Sequence, residues 1–238
     1  MISYIKAEML RFTRKKSFLL LLVLFTLGYG TIIFIQRKSP GDFIMFNQML
    51  IDLSPMLIGI AIFVMVYTDD ISAHSIQIPI GYGISRWKIV LAKMIEVIVV
   101  YAGVMAYALL LAFIADALYG ANQDFTILFK SLGITLFSTM VYVAMASFFA
   151  LVVQKGSTAI IVFILLISSM LESLLQLVLG IRFIRNIIPS AANYLPYRLI
   201  QDIMFDGWLI QPVSILVLYI VIATALTIGF FNKAELDF

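Results

Sequence analysis

Glu172 is the only acid well inside a long apolar run of this 238-residue chain. A carboxylate there is costly in lipid, and it marks a substrate path, a proton relay or a charge pair, here with Arg182 or Arg185. The plainer reading is a polar contact with a neighbouring helix or with interfacial water. Asp52, Glu96 and Asp116 fall at the ends of apolar runs and read as interfacial. The rest of the inventory excludes chemistry. There is no cysteine, so disulfides and thiolate metal sites are ruled out, and His74 is the single histidine. No G-x-x-x-x-G-K-[ST] or H-E-x-x-H occurs, and Gly81-Tyr82-Gly83 lacks the preceding strand and third glycine of a dinucleotide site. No serine–histidine pair or carboxylate dyad supports hydrolysis. The chain is expected to carry no catalytic, cofactor or metal residues, and so to depend on an outside source of energy.

The elements that position these residues are membrane spans. Apolar residues make up 63% of the chain and charged residues 12%, and the mean hydropathy is +1.09. A soluble domain is roughly half apolar and a quarter charged. A span needs ~20 mostly apolar residues, and six runs qualify, at about 17–36, 49–68, 95–117, 131–154, 157–180 and 208–231. The expected fold is one all-α integral membrane domain. Only Lys155 and Gly156 part the fourth and fifth runs, which predicts a tight helical hairpin. The first run is too long for the ~7–15-residue core of a signal peptide, and Arg37-Lys38-Ser39-Pro40 is no cleavage site.

Lysine and arginine placement sets the orientation. With the N-terminus inside, ten basic residues fall on the inner side and six on the outer, and five of the ten directly precede the first span. Both termini are then cytoplasmic. The net charge of +3 reflects loop basicity, not affinity for nucleic acid. Small residues at four-residue spacing permit close helix approach in span three (Ala102, Ala106; Ala108, Ala112), span four (Ala146, Ala150) and span six (Ala225, Gly229).

Three segments outside the spans carry pattern. Residues 1–16 place Ile2, Ile5, Met9 and Phe12 on one helical stripe, with Lys6, Arg11, Arg14 and Lys15 mostly off it. Such a helix lies among lipid headgroups as an anchor, or packs on a partner as an elbow. The outer segment 181–208, broken by Pro189 and Pro196, reads either as two short helices dipping back toward the membrane or as a flat interfacial loop. The loop 68–93 reads TDDISAHSIQIPIGYGISRWKIVLAK. Thr68 is placed to cap a short helix reaching about Ile80, with Asp69 and Asp70 in its first turn. Gly81-Tyr82-Gly83 then supplies a turn, and Ser85 is placed to cap the entry to span three. This helix either projects as a docking knob or lies along the membrane.

That loop resembles the corresponding stretch of the ABC type-2 transporter permeases, in which acidic residues, an apolar stretch and S-R-x-x lie between the second and third spans. The matching residues are Asp69, Asp70, Ser72, Ser75, Ile78, Ile80, Ser85, Arg86, Lys88 and Lys93. The family's Gly-Thr is replaced around Ala73-His74-Ser75. The six-span architecture, with its amphipathic N-terminal helix and helical outer segment, extends the likeness to the whole chain. The resemblance implies that the loop helix is a coupling helix seated in a separate ATPase subunit, which binds ATP and Mg. It implies a pair of permeases, identical or related, above two ATPases, and a re-entrant cap formed by the outer segment. Small members of the family serve bacteriocin immunity or export of amphipathic peptides. Asp69, Asp70, Ser75, Ile76, Ile78, Ile80 and Arg86 are the coupling residues on this reading, and Glu172 is the substrate-path candidate. The rival expectation is a self-sufficient secondary transporter or channel using Glu172, supported by Pro55 and Glu172 but lacking a visible internal repeat.

Overall fold

The computed structural model describes residues 2–36, 40–72, 75–120, 122–179 and 191–233. Among them the fold is helical throughout, without a strand. Five helices are long and apolar enough to cross a membrane, and a bent pair makes a sixth crossing if it counts as one span. The chain is a multi-pass membrane protein.

The N-terminal amphipathic helix α1 (Ile2–Thr13) is followed almost at once by α2 (Lys16–Gln36). Span two starts earlier than the hydropathy alone suggests. Its helix begins at α3 (Pro40–Ser54), passes through a π turn (Pro55–Gly59), α4 (Ile60–Phe63) and a second π turn (Val64–Thr68), and ends in α5 (Asp69–Ser72). The first π turn has a local cause. Pro55 has no N–H to offer the carbonyl of Ile51, which takes a hydrogen bond from the Ser54 hydroxyl instead (2.6 Å). In the second, the Asp69 N–H reaches back to Val64, so the Met65 carbonyl that an α-helix would use is released. Thr68 therefore caps nothing: the helix runs straight through it, and its hydroxyl is buried without a partner.

The connection that follows holds a short helix, α6 (Gln77–Gly81), and Gly83 takes the positive φ (81°) of the turn. Ser85 does sit at the N-cap of α7 (Arg86–Tyr119) with extended backbone, but its hydroxyl makes no capping bond. The helix begins at Arg86, well before the apolar run at 95. Gly120 closes α7 in the left-handed conformation, and the Asp124 side chain caps α8 (Phe125–Val153) by accepting from the Thr126 N–H (2.9 Å).

Helix α8 is the centre of the bundle. It packs against α3, α7, α9 (Gly156–Ile167) and the last helix, α12 (Ile210–Lys233). Ala146 and Ala150 on α8 and Ala108 and Ala112 on α7 are buried, as their spacing predicts, whereas Ala106, Ala225 and Gly229 face outward. The expected α8–α9 hairpin forms, with Gln154 in left-handed backbone. Gly156 is needed there because a β-carbon would lie 2.7 Å from the Thr68 methyl. Phe163 of α9 stacks on Phe63 of span two at 4.2 Å.

Span five differs from the expected continuous helix. It breaks at Ser168-Ser169, where Ser169 takes φ 57°, and α10 (Met170–Leu179) leaves α9 at 66°. Of the outer segment, residues 181–190 lie outside the described residues. The remainder forms a 3₁₀ turn (Ala191–Tyr194) and α11 (Pro196–Asp206), which buries Leu199 and Ile203 against the bundle.

Candidate functional site

Chemistry concentrates at the two ends of the bundle. At the N-terminal end, α1 lies across α7 and presents Glu8 and Arg11 to the end of span two at Asp70 and the start of span three at Lys93. Lys93, 1% exposed, is the hub. Its ammonium donates to Glu8 (2.7 Å), to Glu96 one turn on (2.9 Å) and to Asp70 of α5. The Arg11 guanidinium donates to both oxygens of Asp70 (2.8 and 2.6 Å) and to Glu8 (2.6 Å). Three carboxylates and two cations thus share one cluster. Glu96 is 1% exposed and belongs to it rather than to the interface. Burial lowers the Arg11 pKa, but the charges of Asp70 and Glu8 more than offset that, so it lies above its usual value. Burial and the charge of Glu8 push the Tyr4 hydroxyl beside them up to about 12.

Lys15 ties the same end together a second way. Its ammonium donates to the Met65 carbonyl freed by the π turn (2.5 Å) and to Asp69 (3.2 Å). Such contacts hold α1 against the bundle, a stronger attachment than lipid anchoring alone.

The structure divides the expected coupling residues into two groups. Asp70, Ile76, Ser75 and Arg86 are held inside the chain. Asp70 is in the cluster, and Ile76 is 9% exposed. The Ser75 N–H and hydroxyl both donate to the Asp70 carbonyl (3.0 and 3.3 Å). Arg86 donates to the carbonyls of Phe231 (2.6 Å) and Asn232 (3.2 Å) at the end of α12, with its guanidinium over the Phe231 ring. Ile80 packs half-buried on the core. Ile78, by contrast, is 60% exposed, and the turn residue Tyr82 is 85% exposed. Asp69 keeps about half its side chain exposed beside Lys15. The turn is pinned by Gly83 N–H to Ile80 (2.9 Å) and Ile84 N–H to Pro79 (2.9 Å). His74 lies outside the described residues.

At the opposite end, Glu172 is 2% exposed in the first turn of α10, immediately after the helix break. One oxygen accepts from the Tyr197 N–H of α11 (2.6 Å), and the other is buried without a partner. The possible partners Arg182 and Arg185 lie outside the described residues. Tyr197 also lines a cavity of about 360 Å³ among α3, α8, α11 and the α9–α10 break. Asp52 is on its wall and not at a span end: it lies about 16 Å along the helix from Gly41. Its carboxylate accepts from Ser131 (3.2 Å) and weakly from Gln48 (3.4 Å), and Gln48 also donates to Ser131 (2.5 Å). The break falls at a serine pair, Ser168-Ser169, and Asp52 lies three residues before Pro55.

Among the described residues no group of three or more His, Cys, Asp or Glu side chains is placed to hold a metal ion. Comparison with protein-family models, curated proteins and solved structures finds no match to this chain.

Proposed function

We propose that this chain is the permease subunit of an ATP-driven exporter of the ABC type-2 kind. It would work in a bacterial plasma membrane with both termini cytoplasmic, as one of a pair of permeases, and be powered by a separate ATPase that binds ATP and Mg. Its cargo would be an amphipathic or hydrophobic molecule, such as an antimicrobial peptide or a lipid-like compound. The observation that carries this reading is the exposed pair Ile78 and Tyr82 on the pinned connection between spans two and three. Large apolar groups projecting from a rigid turn at the end of a bundle suit a groove on a partner protein. The connection is also tied to three spans at once, through Asp70 to span three and through Arg86 to the last helix. A push on α6 would reach them all. Asp70 and Arg86 then transmit the motion, while Ile78 and Tyr82 make the contact. ATP binding must favour one arrangement of the spans for that push to do work.

The test is purification of the tagged protein in mild detergent, followed by mass spectrometry of what accompanies it. A stoichiometric ATPase is expected, and Ile78→Asp should release it while leaving folding within about 0.5 kcal/mol of wild type. An ATPase that stays bound to Ile78→Asp, with transport intact, defeats the docking assignment.

One feature favours a second reading, a self-sufficient secondary transporter. Broken spans with a buried carboxylate beside a cavity are a recurring layout in such proteins. Transport by the isolated chain that follows a proton gradient and fails in Glu172→Gln would select it.

A further inference from the structure

We propose that the cavity bearing Asp52 is a binding site for the cationic head of an amphiphile, and that the groove beside it receives the apolar tail. The inference names the substrate class for the exporter reading and rests on that reading for its transport role. The binding itself needs no partner.

Asp52 lies on the cavity wall, with its side chain open rather than packed away. Its described hydrogen-bond partners, Ser131 and Gln48, are both neutral. Among the described residues lining this cavity and the groove next to it, none is lysine or arginine. Among the described residues, several acids at the N-terminal end have internal cations, whereas this one has only neutral donors. Behind the wall Glu172, bonded to Tyr197, contributes a buried carboxyl group, one of whose oxygens has no partner among the described residues.

A second cavity of about 730 Å³ adjoins the first, and the two share Asp52 and Leu53. Its floor is apolar: Ile44, Met45, Met49, Leu53 and Ile127. The methionines are flexible and accommodate varied shapes. Both volumes fall in the range of small-molecule sites, roughly 300–1,000 Å³. A charged head held at Asp52 places an attached alkyl or side-chain tail in this groove. An anionic head would meet Asp52 with the wrong sign.

The probe is radiolabelled dodecyltrimethylammonium, measured by equilibrium binding to the full-length protein in phosphatidylcholine nanodiscs, with empty nanodiscs subtracted. Saturable binding is expected, weakened about tenfold or more by Asp52→Asn, as loss of one charge-assisted contact requires. Asp42→Asn, on the same helix but outside both cavities, should bind as wild type does. Dodecyl sulfate of the same chain length should show no saturable binding. Met45→Trp, which fills the exposed groove with an apolar ring, should also weaken binding, and it stands in if Asp52→Asn does not fold. The proposal is overturned by the absence of saturable binding to wild type, by equal binding of the sulfate, or by undiminished binding to both variants. Failure here with an ATPase still co-purifying removes the site and spares the exporter reading. Saturable binding without any ATPase does the reverse.

Discussion

The two ends of this bundle treat their acids in opposite ways. At the N-terminal end Glu8, Asp70 and Glu96 surround Lys93 and Arg11, and each has a cation within hydrogen-bonding distance. At the other end Asp52 and Glu172 receive bonds from a serine hydroxyl, a glutamine amide and a backbone N–H. Burying charge costs several kcal/mol per ion, and partners must offset it. The first set of acids is therefore structural: it fastens α1 to spans two and three. The second set has only neutral donors among the described residues.

Substitutions sharpen that contrast, and the largest effect should come from the hub. Lys93→Met strands Glu96 without a cation and leaves Asp70 to Arg11 alone. It should cost ~3–5 kcal/mol, read as thermal unfolding in detergent. Adding Glu96→Leu should recover part of that loss, and a double variant no better than the single one would mean the cluster is not a charge network. Next is Gly156→Ala, at the hairpin that braces span two. Its new methyl meets the Thr68 side chain, and overpacking of this kind costs ~1–3 kcal/mol. Thr68→Ser, which removes the opposing methyl, should rescue it. Tyr101→Phe, which removes the 2.5 Å hydrogen bond between the Tyr101 and Ser54 hydroxyls, should cost ~1 kcal/mol. The smallest change should be Asp52→Asn, within about 0.5 kcal/mol of wild type or stabilising, because among the described residues no cation loses a partner. A loss as large as that of Lys93→Met would erase the distinction between the two ends.

Much of the architecture is legible in the sequence because lipid imposes it. Runs of ~20 apolar residues have one economical outcome, and the positions of α2, α7, α8 and α12 follow from them. The N-terminal stripe also forms as its spacing predicts, with Met9 and Phe12 against the core. The ion cluster is harder to read, because Glu8 and Lys93 are distant in sequence and nothing local pairs them. Only the Lys93–Glu96 spacing of three hints at it. Span ends judged by hydropathy fall short at Glu96 and Asp52, since helix length is set by packing and capping as well as by apolarity. The break in span five lacks the glycine or proline that usually announces one. Asp69 and Asp70 look alike as neighbours, yet one is half exposed and the other buried, a distinction that only the helix's rotation decides.

That rotation follows from the two π turns. Asp52 and Asp70 are about five turns of 3.6 residues apart, so on a regular helix they would lie along one line. Each π turn takes in an additional residue, and the pair of them twists the lower half away from that line. Asp52 consequently meets Ser131 of α8, while Asp70 meets Arg11 of α1 and Lys93 of α7. Span two thus carries a carboxylate on either side of its two π turns, facing different neighbours. If one π turn were drawn back into α-helix, the segment beyond it would swing by ~100°, so the winding of this one helix decides which neighbour each carboxylate meets.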